Sequence, residues 1–179
     1  MSSLFSVDDV RGALRELAQD LRDAGIPARI QVVGGAAVAL QVGREALTRD
    51  VDALHPPTRE FADIVQRIAD RRGWPDSWLN DAVRGFVSHH DTDGDWEALD
   101  DDGVVTVLVA RPQLLLAMKL LAGRGTRDRE DIERLLDACS VTSVTEAVAI
   151  FDQYYPTETM NHRAYALLET RYETKPTGS

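Results

Sequence analysis

The sequence predicts an α/β (α+β) fold: a small mixed sheet flanked by helices, with a helical C-terminal extension. Three observations predict it. Apolar, β-branched runs at 29–33 and 104–109 sit among stretches with helical spacing. A paired glycine, Gly34-Gly35, stands where the first run gives way to Ala36-Ala37-Val38-Ala39-Leu40. After Pro112 the apolar residues recur at helical spacing to the end, which makes the last third all-helical.

Each element has a local reason. Ser6 followed by Asp8 and Asp9 reads as a helix start, since a serine cap and early acids suit the positive end of the helix dipole. Val10, Leu14, Leu17 and Leu21 continue that helix, and Gly25 ends it. The first strand is expected near 29–33, and the helix after the glycines is expected to stop at Gly43. The next strand is expected over 48–54, halted by His55-Pro56-Pro57. A helix over about 58–72 would bury Phe61, Ile64, Val65 and Ile68. Residues 77–86 are read as a short helix and 89–102 as a mostly acidic loop. Residues 104–109 read as a buried strand. Pro112 opens an apolar helix through Leu121, Thr126 caps another to about 138, and Ser143 with Glu146 forms a capping box for a third. The last helix is expected over about 158–172. One domain is expected over 1–138 and a helical extension packed on it over 139–179, with the tail frayed from about 173.

Bulk properties narrow the partners. The 179 residues are 44% apolar, enough for an ordinary core, and no apolar run nears the roughly 20 residues that span a bilayer. Met-Ser-Ser-Leu-Phe-Ser has no basic region followed by an apolar stretch, so no signal peptide is expected, and the lone Cys139, read as a buried small hydrophobe, allows no intramolecular disulfide framework. A cytoplasmic protein without membrane attachment is expected. The net charge of −10 argues against non-specific nucleic-acid binding. An RNA substrate would need a local basic patch, for which Arg124, Arg127, Arg129 and Arg134 are available.

The chemistry-bearing residues begin with Asp50 and Asp52. Side chains alternate along a strand, so these two share a side opposite Val51 and Ala53. Carboxylates that close repel unless a cation lies between them. Hard oxygen donors suit magnesium, which is commonly shared with substrate phosphates. Two such ions roughly 3.5–4 Å apart can stabilise both the attacking and the leaving oxygens of a phosphoryl displacement. Asp-x-Asp alone is common. The paired glycine about fifteen residues earlier raises its specificity, because glycine lets backbone approach a phosphate ahead of a helix N-terminus. A third segment, Lys119 to Asp131 (KLLAGRGTRDRED), carries Lys119 on an apolar helix, then Arg127, Asp128, Asp131 and Arg134 at helical spacings. By itself it also fits a surface laced with ion pairs. His89-His90-Asp91-Thr92-Asp93-Gly94-Asp95 superficially suggests a calcium loop. Trp96 stands where that loop needs its glycine and Asp102 where it needs glutamate, so an acidic solvated turn is the better reading. Trp74, Trp78 and Leu79 read as an aromatic corner on the core, and His55 and His162 as structural.

On these motifs the chain resembles the minimal nucleotidyltransferase superfamily, in particular its AbiEii-like, abortive-infection toxin-like branch and related standalone proteins. Val33-Gly34-Gly35 resembles the first motif. Thr48-Arg49-Asp50-Val51-Asp52 resembles the Asp-x-Asp strand, and Lys119 with Arg127-Asp128-Arg129-Glu130-Asp131 the later lysine and Arg-Asp-x-x-Asp helices. The likeness covers about 28–138. It implies Mg2+ held by Asp50 and Asp52, and a nucleoside triphosphate (NTP) held by Gly34, Gly35, Thr48, Lys119 and Arg127. Lys119 and Asp131 would join the two aspartates in catalysis, with Asp128 the alternative to Asp131. The implied reaction transfers a nucleoside monophosphate to a hydroxyl on RNA, such as a tRNA end, on a protein or on a small molecule. An antitoxin partner is implied by the same branch. Two positions depart from the pattern. Ala46 stands where an arginine is frequent, with Arg44 nearest, and the strand at 104–109 lacks a third carboxylate. They leave room for an alternative, a weakened nucleotidyltransferase fold acting as a nucleotide- or protein-binding module.

Overall fold

The computed structural model describes residues 4–43, 48–123 and 126–173, with the side chains of Thr126 and Arg127 left out. By packing, the chain forms two compact units: 1–85 with 96–110, and 86–95 with 111–179.

The first unit is built on a five-stranded mixed sheet. Its strands are β1 (Ala28–Val33), β2 (Val51–Leu54), β3 (Leu79–Asn80), β4 (Trp96–Asp101) and β5 (Val105–Ala110). Their spatial order is β3-β2-β1-β5-β4. β1 runs parallel to β5 and antiparallel to β2, β2 is parallel to β3, and β4 is antiparallel to β5. The central strands β1 and β5 are the apolar runs that the sequence offers, and Ile30, Val32, Val33, Val105 and Val107 are fully buried. Three helices flank the sheet: α1 (Val7–Asp23), α2 (Gly34–Val42) and α3 (Arg59–Arg72). Ser6 caps α1 through a reciprocal box with Asp9, and α1 packs Leu14, Leu17 and Leu21 into the core. α1 lies against α3, α2 and β5. Thr58 caps α3, and Gly73 ends it in the left-handed conformation.

The second unit is helical: α4 (Pro112–Ala122), α5 (Thr126–Ala138), α6 (Val144–Tyr154) and α7 (His162–Glu173). α4 is its hub and touches the other three helices. Its residues Leu114 to Met118 and Leu120 are all buried, which is why the sequence there is apolar on every side. The expected frayed tail lies outside the described residues except for Glu173, which still belongs to α7.

Five expectations need correction. Residues 77–86 are not a helix. Trp78 is fully buried with its indole N–H on the Val65 carbonyl (3.1 Å), and Leu79-Asn80 pairs with β2. The Asn80 side chain then accepts from the Ala82 N–H (3.1 Å), a local turn that competes with helix. The segment 89–102 is not mostly loop, because Trp96–Asp101 forms the edge strand β4. Its Glu and Asp disguise it, yet charges suit an edge that faces water. β2 begins at Val51, not Thr48. The last helix begins at His162, because the Asn161 side chain accepts from the Arg163 N–H (2.9 Å) and interrupts the pattern. Cys139 is only half-buried, and that burial still pushes its thiol up to about 11.

Candidate functional site

β1 ends at Val33, and Gly34 turns the chain with φ +65°. An L side chain is strained at that angle. Space forbids one as well, since a Cβ on Gly34 would stand 2.5 Å from Asp52 Oδ2. The closeness follows from register, for Val33 lies opposite Asp52 in the antiparallel pair of β1 and β2. The paired glycine and the second acid of Asp-x-Asp therefore share one small space. Gly35 is less crowded, its nearest neighbour for a Cβ being Thr48 Oγ1 at 3.9 Å. α2 starts at this bend. Val33, at its cap position, has no side-chain acceptor, and its first turn carries no acid. That end of the helix is suited to an anion.

Asp50 stands just before β2. Exposure alternates from it onward: Asp50 half-buried, Val51 buried, Asp52 half-buried, Ala53 buried. The Asp50 carboxylate makes no hydrogen bond or ion pair among the described residues. Its backbone, in contrast, is held. Thr48 Oγ1 donates to the Asp50 carbonyl (2.8 Å), and the Val51 N–H donates to the Trp78 carbonyl (2.6 Å). Thr48 in turn exchanges two backbone hydrogen bonds with Phe5 (2.7 and 3.0 Å).

The later motif assembles within the helical unit. Lys119 Nζ lies 2.7 Å from Asp128 Oδ1 and 2.8 Å from Asp131 Oδ2. Both aspartates are buried, with 3% and 2% exposure, and Lys119 is mostly covered. Two carboxylates so withdrawn from water need cationic or hydrogen-bonding partners, and Lys119 supplies one to both. The Arg127 side chain, Arg124, Arg44 and Ala46 lie outside the described residues. Of the arginines considered for a basic patch, Arg129 pairs with Glu133 and Arg134 with Glu130, each four residues apart on the exposed face of α5. The acidic turn before β4 is committed elsewhere. Asp95 Oδ1 accepts from the Tyr154 hydroxyl (2.5 Å), and Asp95 Oδ2 from the Thr92 N–H and hydroxyl. Burial raises the Asp95 carboxyl, but these hydrogen bonds outweigh it and hold it below its usual range. Trp78 is fully buried, and Trp74 stacks on Phe5 with ring centroids 4.0 Å apart, so this corner is core. His55 stacks on Phe61 at 4.7 Å.

The chain matches a family model described as a nucleotidyltransferase of unknown function (DUF6036) over residues 10–176. It belongs to that family. A solved structure described as an antigenic nucleotidyltransferase-like protein from Paracoccidioides brasiliensis aligns with a TM-score of 0.44 and 16% identity. That alignment covers 86% of this chain and 92% of the other. No curated protein matches. No described helix of this nucleotidyltransferase-family chain is long and apolar enough to cross a membrane.

The donor chemistry near Gly34 fits a divalent cation shared with phosphate. Asp50 and Asp52 offer hard oxygens, and the described residues assemble no group of three metal-binding side chains there or elsewhere. Magnesium held through one or two carboxylates plus phosphate oxygens needs no closed protein cage. Reading the sequence missed Phe5 and the Trp78 carbonyl as supports for the Asp50 backbone. Backbone partners leave no residue-type signature, so only an aromatic residue just ahead of a capping serine hinted at Phe5.

Proposed function

We propose that this member of the nucleotidyltransferase family transfers a nucleoside monophosphate from an NTP to a hydroxyl acceptor. The observation that carries the reading is the packing of the Asp52 carboxylate directly against the Gly34 bend. A phosphate received by the α2 N-terminus would meet backbone at Gly34 and Gly35, with the carboxylates of Asp50 and Asp52 beside it. Those two aspartates would hold Mg2+, which supplies charge neutralisation on the phosphoryl oxygens. Glycine at 34 keeps the space between bend and carboxylate open, which any side chain would fill. Lys119 and Asp131 remain candidates for catalysis, with Asp128 beside them, and Arg127 and Thr48 for holding the nucleotide. The pairing of Lys119 with two buried aspartates supports a role in ordering α4 and α5 as readily as one on phosphate. The unit proposed to carry the reaction is 1–138, since its motifs run from Gly34 to Asp131, and 139–179 is its helical extension.

RNA, including tRNA ends, is the acceptor class suggested by the AbiEii-like motif resemblance, and an antitoxin partner follows from the same likeness; a cytoplasmic setting is proposed from the composition and the lone Cys139. A second reading is a nucleotide-binding module without turnover. β5 bears no carboxylate, and Lys119 is already engaged by two acids.

The test is incubation with each α-labelled NTP, Mg2+ and total RNA, beside calorimetry with the same nucleotides. Label transfer that disappears in Asp50→Asn and Asp52→Asn, with melting temperature little changed, is the expected result. Nucleotide binding without transfer would favour the module. Labelling that survives both substitutions would overturn the site.

A further inference from the structure

Asp50 presents a contrast. Its carboxylate makes no hydrogen bond or ion pair among the described residues, yet the peptide unit joining it to Val51 is pinned at both polar ends. Thr48 Oγ1 takes the carbonyl end at 2.8 Å, and the Trp78 carbonyl takes the N–H end at 2.6 Å. The two pins share one aromatic support. Phe5 is 1% exposed and clasps Thr48 through both backbone groups. Its ring stacks on Trp74, which meets Trp78 edge-on at 5.6 Å. Phe5 itself is fixed to α1 by the Ser6–Asp9 capping box, and Phe5 and the buried Val10 occupy the two positions of a hydrophobic staple. The chain thus spends its N-terminal arm, one hydroxyl and two tryptophans on the backbone of a single acid.

We propose that Thr48 and Phe5 are positioning residues that aim the Asp50 carboxylate for a divalent cation, Thr48 through its hydroxyl and Phe5 through the clasp. This rests on the reading of Asp50 as a metal ligand. It gives Thr48 a role distinct from contact with nucleotide, because its hydroxyl hydrogen is already donated to the Asp50 carbonyl. Supports one step removed from a ligand commonly change metal affinity by about 10–100-fold when lost, because the ligand must then be ordered at the moment of binding.

The experiment titrates the full chain with Mn2+ alone, followed by electron paramagnetic resonance of the free ion, with thermal melts alongside. Asp50→Asn should abolish the tight site. Thr48→Val, which keeps the shape and removes the hydroxyl, should weaken Mn2+ about 10-fold or more, and Thr48→Ser should restore it. Phe5→Leu, which keeps burial and loses the stacked ring, should weaken it by less than Thr48→Val. Should Thr48→Val fail to fold, Thr48→Ala carries the same comparison with Thr48→Ser. If Asp50→Asn loses Mn2+ while Thr48→Val binds it like the unaltered chain, the positioning role is overturned and the metal site stands. A Thr48→Ser loss equal to that of Thr48→Val would overturn it too, since the hydroxyl would then be irrelevant. If Asp50→Asn binds as tightly as the unaltered chain, the metal site itself is wrong.

Discussion

Two groups of acids in this chain have opposite electrostatic settings. Asp128 and Asp131 are buried and share a lysine within hydrogen-bonding distance. Asp50 is half-buried, and among the described residues no cation is paired with it. A carboxylate withdrawn from water is tolerated only with a partner inside the protein. One left half-buried keeps its capacity for a partner from outside. Asp128 and Asp131 are paired within the helical unit, whereas the carboxylate of Asp50, just before β2, makes no hydrogen bond or ion pair among the described residues. The contrast teaches that motif residues equally prominent in sequence can differ in kind.

The largest expected effect falls on the self-satisfied cluster. Lys119→Met removes the ammonium that two buried carboxylates share and should cost about 3–5 kcal/mol in urea unfolding, as for breaking a buried ion pair. Adding Asp128→Asn and Asp131→Asn to that variant should recover part of the loss. If Lys119→Met unfolds like the unaltered chain, the cluster is not structural and the contrast breaks.

Next comes the bend. Gly34→Ala should destabilise by about 3 kcal/mol, with the left-handed backbone accounting for roughly 1–2 kcal/mol and the collision with Asp52 for the rest. Chemical denaturation measures it. Pairing Gly34→Ala with Asp52→Ala should relieve the collision and leave the backbone cost, which separates the two contributions.

A half-buried acid, Asp95, that accepts from neutral donors lies between the extremes. Tyr154→Phe removes the hydroxyl on Asp95 and should cost about 2 kcal/mol at neutral pH, as for hydrogen bonds to charged groups. The folded-state pKa of Asp95 is depressed, so its stabilisation is fully present above the ordinary value of 3.8 and is lost as pH falls through the lower folded value. The gap between Tyr154→Phe and the unaltered chain should therefore narrow below about pH 4 in denaturation curves. A constant gap across that range would show that the hydroxyl acts by packing alone.

The smallest effect belongs to the exposed pairs. Arg129→Ala breaks an i,i+4 pair with Glu133 at a site 60% exposed and should change stability by roughly 0.3 kcal/mol, vanishing in high salt. A larger loss would mean that α5 relies on its surface charges.

Much was legible before any coordinates. The central strands, the helix starts at Ser6, Thr58, Pro112 and Ser143, and the glycine bend follow from apolar periodicity and capping chemistry, which act over a few residues. The strand β3 was hidden because its two residues carry no period, and they pair only because Trp78 is buried beneath α3. The strand β4 was hidden because Trp96-Glu97-Ala98-Leu99-Asp100-Asp101 reads as polar, and edge strands tolerate what central ones exclude. For the candidate site, residue types marked Gly34, Gly35, Asp50, Asp52, Lys119, Asp128 and Asp131 as chemistry-bearing. Nothing in those types separated the acids that are paired internally from Asp50, whose carboxylate has no partner among the described residues.

By itself, the sequence determined the central strands β1 and β5, most of the helices and the bend at Gly34, and it carried a resemblance to nucleotidyltransferase motifs. Only tertiary structure decided that Val33 lies opposite Asp52, that Lys119 joins two buried aspartates, and that Phe5, Thr48 and Trp78 hold the backbone at Asp50. The division has a physical cause. Periodicity and capping arise from contacts within one turn or one strand. Register, burial and backbone pairing depend on residues far apart in the chain, such as Ala28 and Val105 in the β1–β5 pair, whose meeting is set by the cooperative packing of the whole unit.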